Sequence, residues 1–201
     1  MHRIAALLAI GALAAVATAQ NTVVIPAGTA TAEGNSSNAF PWGRGGLGMR
    51  IQNVYDSSHF TSQGITTPVM ITRLRWRIDS TTARTWVNSA YQNATISLST
   101  CPQDQALVST DFASNQGADL TTVFTGPVAW PAGATTTPGP APFLIDVPFT
   151  TPFYYSPAAG DLNIETDLPI QTYIGTAVQL DVQTTASLAS RVYLSTGYPV
   201  G

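Results

Sequence analysis

Val69-Met70-Ile71-Thr72-Arg73-Leu74-Arg75-Trp76-Arg77-Ile78-Asp79 decides the fold. Met70, Thr72, Leu74, Trp76 and Ile78 occupy every second position, and Arg73, Arg75 and Arg77 fall between them. A period of two is that of a strand, whose successive side chains point to opposite faces. One face is therefore expected to pack and the other to meet water or a ligand. Residues 91–100 repeat the pattern, with Ala94, Ile96 and Leu98 inward and Asn93, Thr95, Ser97 and Ser99 outward.

Further short segments of this kind lie at 22–25, 49–55, 121–125, 143–147, 161–166, 170–174, 177–182 and 191–195. Threonine occurs 28 times, and Gly and Pro together 30 times, falling between these segments as turns do. No helical periodicity survives beyond the N-terminal segment, so parallel crossovers have no helices to use. About ten antiparallel strands then imply an all-β, two-sheet sandwich of jelly-roll-like type. Residues 126–142 are Pro, Gly and Thr rich and are expected to form a long surface loop.

Only 9% of the residues are charged and 44% are hydrophobic, with a net charge of -3, which argues against a nucleic-acid binder and against a disordered chain. All eight basic residues are Arg, so Schiff-base and P-loop lysine chemistry are unavailable. His2 and Arg3, the apolar run 4–17 and Ala17-Thr18-Ala19 have the three parts of a secretory signal, so 1–19 is expected to be cleaved and 20–201 to form one β-sandwich domain. The run is shorter than the roughly 20 residues a membrane span needs, and no later segment reaches that length. The product is expected to be secreted or held at the cell surface. The chain stops at Gly201 just after a strand-like segment, which leaves truncation of a longer product open. Cys101 is the sole cysteine: it reads either as a small buried hydrophobe at a strand end or as a free or intermolecular thiol.

Several motifs offer chemistry, each beside a structural reading. Gly43-Arg44-Gly45-Gly46-Leu47-Gly48 spells G-x-G-x-x-G, but Pro41-Trp42 precedes it and a strand-like segment follows, where a dinucleotide site needs a strand and then a helix. Asp56-Ser57-Ser58-His59 contains the one histidine left after cleavage and reads as a turn, since a catalytic relay converges in space rather than in sequence. A glycosidase needs two carboxyl groups about 5 to 10 Å apart, and the only glutamates are Glu33 and Glu165.

Asp161, Asn163 and Glu165 place oxygen ligands at alternate positions, as at the start of a calcium loop, but the turn glycine and the twelfth-position Glu are absent. Calcium and a strand with an outward polar face are the two readings. Arg73, Arg75 and Arg77, about 6.6 Å apart on one face, suit a sulfated or uronic polysaccharide. They equally suit a row of exposed cations beside acids on neighbouring strands, such as Asp181 or Glu165. Trp42 and Trp130, in Gly/Pro-rich surroundings, read either as stacking platforms for sugar rings or as caps of the sandwich ends. Asn35-Ser36-Ser37 and Asn93-Ala94-Thr95 are formal glycosylation sequons.

Residues 32–41 (Ala-Glu-Gly-Asn-Ser-Ser-Asn-Ala-Phe-Pro), 50–55 (Arg-Ile-Gln-Asn-Val-Tyr), 71–74 (Ile-Thr-Arg-Leu), 96–100 (Ile-Ser-Leu-Ser-Thr), 111–115 (Asp-Phe-Ala-Ser-Asn), 122–124 (Thr-Val-Phe) and 153–161, with Tyr155, Pro157 and Gly160, form a pattern along most of the chain. It resembles the uncharacterised secreted β-sandwich proteins of environmental bacteria, many of which carry a PEP-CTERM sorting tail. The resemblance implies an extracellular sandwich and transfers no catalytic residue. The Pro-Glu-Pro box, terminal hydrophobic helix and basic end of tailed members do not occur in this sequence. A structural, adhesive or binding module without catalytic activity is the expectation, with extracellular polysaccharide or cell-surface components as partners. A carbohydrate-active enzyme or its carbohydrate-binding accessory module is the alternative.

Overall fold

Alternating segments become strands in the computed structural model, which describes residues 22–135, 139–185 and 188–195. The expected signal segment lies outside the described residues. In chain order the strands are β1 (Ser36–Asn38), β2 (Met49–Tyr55), β3 (Val69–Arg77), β4 (Thr85–Trp86), β5 (Ser89–Cys101), β6 (Thr121–Trp130), β7 (Gly133–Ala134), β8 (Phe143–Tyr155), β9 (Asp161–Leu168), β10 (Leu180–Val182) and β11 (Ala189–Leu194). One short helix, α1 (Ser58–Thr61), follows β2, and two 3₁₀ turns (Gln105–Leu107 and Phe112–Asn115) lie between β5 and β6. None of the described helices is long and apolar enough to cross a membrane.

Two antiparallel layers result, without a closed barrel. The first has the order β11-β2-β9-β5-β6. The second pairs β3 with β8 and β1 with β10, the two pairs being joined by a bridge between Ile78 and Leu180. The chain crosses between layers at nearly every strand, so local order in sequence is not order in space. Ile96, Leu98, Leu162, Ile164 and Leu168 from the first layer meet Ile78, Ile145, Val147, Phe153 and Leu180 from the second in one buried cluster. Truncating one of these large aliphatic side chains to Ala costs about 2–5 kcal/mol, so this interior is the main cohesive element.

The strand that announced the fold departs from strict alternation. Between Ile71 and Arg73 the β3/β8 register shifts, and parity reverses there. Met70 is therefore exposed, opposite exposed Tyr154, while Val69 and Ile71 pack against the core. Leu74, Trp76 and Ile78 keep the expected inward face.

Two other expectations change. Residues 126–130 belong to β6 rather than to a loop; β6 ends its sheet, and Pro127 falls at the shift between Tyr91 and Ala94, where a missing N–H is tolerated. Residues 22–25 and 170–174 form no strand. At 171 a side chain substitutes for a ladder: the backbone N–H groups of Gln92 and Asn93 donate to Gln171 Oε1 at 2.7 and 2.8 Å.

Candidate functional site

The arginine row divides into three environments. Arg73 meets Asp146 across β3 and β8 at 3.3 Å, both side chains well exposed. Arg75 is exposed, lies 5.6 Å from the Phe143 ring centroid and donates to Thr22 Oγ1 at 2.9 Å. Arg77 is buried: its guanidinium donates to Asp181 Oδ2, to Thr29 O at 2.9 Å and to Ala32 O at 2.6 Å. One of the two acids named as neighbours, Asp181, thus partners the row. Glu165 instead accepts from Arg50 Nε at 2.7 Å on the other layer.

Arg77 belongs to a junction that sequence spacing does not reveal. Carboxylate oxygens of Glu33, Asp79 and Asp181 lie within 4.8 Å of one another. Protein donors occupy all three. Ser80 gives its N–H and its hydroxyl to Glu33, both at 2.7 Å. The Gly34 N–H donates to Asp181 Oδ1 at 2.8 Å. Asp79 accepts the Thr81 hydroxyl at 2.8 Å and the Arg84 guanidinium. Burial holds the Asp181 carboxyl above its ordinary range, with Glu33 adding to the rise against the opposing pull of Arg77. The arrangement fastens the segment before β1 to the ends of β3 and β10. These residues come from three distant parts of the chain, and no local motif joins them.

Asp161, Asn163 and Glu165 lie on one face of β9, the middle strand of its sheet, and all three are buried. Alternate strand positions stand about 6.6 Å apart, whereas calcium ligands converge to about 2.3–2.6 Å from one ion. Their oxygens serve the fold instead. Asp161 accepts the N–H groups of Ser57 and Gln105 at 2.9 and 2.8 Å. Glu165 Oε2 accepts from both Gln52 Nε2 and Gln116 Nε2 at 2.7 Å. Asn163 Nδ2 donates to Asn115 O at 3.3 Å, and Asn115 Nδ2 to Gln52 Oε1 at 2.9 Å. The polar face of this sheet is thus covered by the 3₁₀ segment through a hydrogen-bonded network. Coverage of a strand by a loop has no sequence periodicity, which is why an outward, wet face was expected.

Trp42 and Trp130 are buried, and their surroundings are aromatic. Trp42 packs edge-on against Trp76 and Tyr91 at 5.3 and 5.6 Å, and Trp130 lies 6.2 Å from Tyr91. Their faces are packed inside the sandwich rather than presented to a sugar. Trp86, half-buried and packed against the edge of the core, is an indole that sequence reasoning did not single out. Its Nε1 donates to Pro131 O at 2.9 Å, and it lines a cleft of about 240 Å³ with Arg84, Thr85, Val178 and Gln179. Trp86 sits in the two-residue β4, too short to leave a recognisable alternation.

The remaining motifs are structural. The Ala27 N–H donates to His59 Nδ1 at 3.2 Å, and the Ser58 N–H to Asp56 Oδ1 at 2.7 Å, so this stretch is a turn entering α1. In the glycine run, a Cβ on Gly43 would lie 1.9 Å from Val178 O and one on Gly46 would lie 2.4 Å from Gln171 O. Those glycines permit close backbone packing and lead into β2, not into a helix. Cys101 is free and buried, and burial pushes its thiol up, away from the reactive thiolate. No family model, curated protein or solved structure matches the chain.

Proposed function

We propose that the chain is an exported structural or binding module working outside the cell or at its surface, without catalytic activity of its own. One observation supports this reading: the side chains best suited to chemistry are engaged in holding backbone. His59 anchors Ala27, Asp161 anchors Ser57 and Gln105, Glu33 anchors Ser80 and Asp181 anchors Gly34. A general acid or base must instead reach a proton on the substrate. The surface is mostly neutral and polar, with Arg73, Arg75 and Arg191 as the exposed arginines among the described residues, as suits contact with polysaccharide or with cell-surface components.

The Trp86 cleft favours a second reading, a carbohydrate-binding accessory module, because an indole beside Arg, Thr and Gln side chains combines an apolar platform with hydrogen-bonding groups. Incubating the purified chain with a panel of soluble and insoluble polysaccharides tests both. Retention on a polysaccharide without release of reducing ends is expected. Turnover that disappears in His59→Ala or Glu165→Gln would show an enzyme. Retention abolished by Trp86→Ala would select the second reading.

A further inference from the structure

Four of the arginines in the described residues face a carboxylate: Arg50 with Glu165, Arg73 with Asp146, Arg77 with Asp181 and Arg84 with Asp79. Arg44, Arg75 and Arg191 do not; Arg75 lies over Phe143 and donates to Thr22, whereas Arg44 and Arg191 share one ring. Their guanidinium carbons lie 5.4 and 5.6 Å from the centroid of the same ring, Phe40, which caps their separation at the sum of those distances. Arg191 also lies 5.8 Å from the Tyr193 centroid, and Phe40 and Tyr193 pack edge to face at 4.9 Å.

Two like charges over one phenyl ring repel one another, and among the described residues no carboxylate within ion-pair distance compensates them. The ring faces repay part of this by cation–π attraction. Arg44 Nη2 donates to Ser195 O at 3.3 Å, and its buried Nε has no hydrogen-bond partner among the described residues. Arg191 and Tyr193 are exposed and share one face of β11, the end strand of its sheet.

We infer that Arg44, Arg191, Phe40 and Tyr193 form an anion-binding site for the carboxylate or sulfate group of an acidic polysaccharide. Guanidinium groups bind such oxyanions through paired N–H donors, and the exposed Tyr193 ring offers an apolar surface to the sugar that carries the anion. This inference rests on the binding-module reading above and moves its cationic contact away from the β3 row, where Arg73 and Arg77 already have carboxylates and Arg75 is engaged by Thr22 and Phe143.

The test is calorimetric titration of the full chain with polygalacturonate, dextran sulfate and neutral dextran at low and moderate salt. The site predicts salt-sensitive binding of at least one polyanion and none of neutral dextran; polygalacturonate alone would identify carboxylate as the preferred group, dextran sulfate alone a sulfate ester. Arg191→Gln should weaken binding about tenfold or more, and Arg191→Lys, which keeps the charge but loses the fork, by less. Arg73→Gln removes the same charge elsewhere and should leave binding within about twofold. Arg191 lies on an exposed end strand, so its variants remain informative even where Arg44→Gln disturbs folding. Equal loss in Arg73→Gln and Arg191→Gln, or polyanion binding unchanged in Arg191→Gln, would overturn the site. Binding of neutral dextran alone would also overturn it while leaving the binding-module reading standing.

Discussion

Arg73 and Asp146 lie 3.3 Å apart with side chains 41% and 43% exposed, whereas Arg77 and Asp181 pair with both side chains 5% exposed. The two arginines stand four residues apart on β3 and share a sequence pattern. What separates them is the cover. Thr29 and Ala32 bring backbone carbonyls onto Arg77, and Gly34 brings an N–H to Asp181, while among the described residues Arg73 stays 41% exposed. Alternation along a strand thus reports which face a residue takes, and the covering segment decides whether a charge there is a fastening or a surface group.

The largest expected effect follows from breaking the covered pair. Arg77→Ala leaves Asp181 buried without its guanidinium and strips two carbonyls of a donor, so urea unfolding should show a loss of about 3–5 kcal/mol. A loss below about 1 kcal/mol would erase the distinction between the two pairs. Next comes Glu165→Gln, which leaves the Arg50 guanidinium and two amide donors facing a neutral amide. About 2 kcal/mol should be lost, again by urea unfolding. Arg73→Ala should cost less than about 1 kcal/mol, since its partner returns to water.

A surface carboxylate should give the smallest effect. The Ser114 hydroxyl and then the Ala113 N–H hold the exposed Asp111 carboxyl below its ordinary value. A depressed folded pKa means that the stabilisation is present above the unfolded value, about 3.9, and is lost as pH falls through the folded one. Melting curves of wild type and Asp111→Asn should therefore differ slightly at neutral pH and converge in acid. A gap that widens below pH 4 would contradict this.

The layers and most strand positions were legible because apolar–polar alternation is a local property: residues 49–55 match β2, and 91–100 lie within β5. The parity reversal at Thr72 was not legible, because it depends on the register of β8. Nor was the junction of Glu33, Asp79 and Asp181, whose members meet only after the chain has crossed between layers. Trp42 and Trp130 misled for a related reason. A tryptophan among glycines and prolines looks like a loop residue, yet small neighbours also let the indole sink into a core, as Gly43 does against Val178. The Arg44 and Arg191 pairing likewise joins residues 147 positions apart through one phenyl ring.

Two double-mutant cycles in urea, one on Arg77 and Asp181 and the other on Arg73 and Asp146, each with alanine, measure how far the covering segment strengthens an ion pair. A coupling energy of about 1.5–3 kcal/mol is expected for the covered pair and below about 1 kcal/mol for the exposed one. Equal couplings, or a larger one between Arg73 and Asp146, would contradict this.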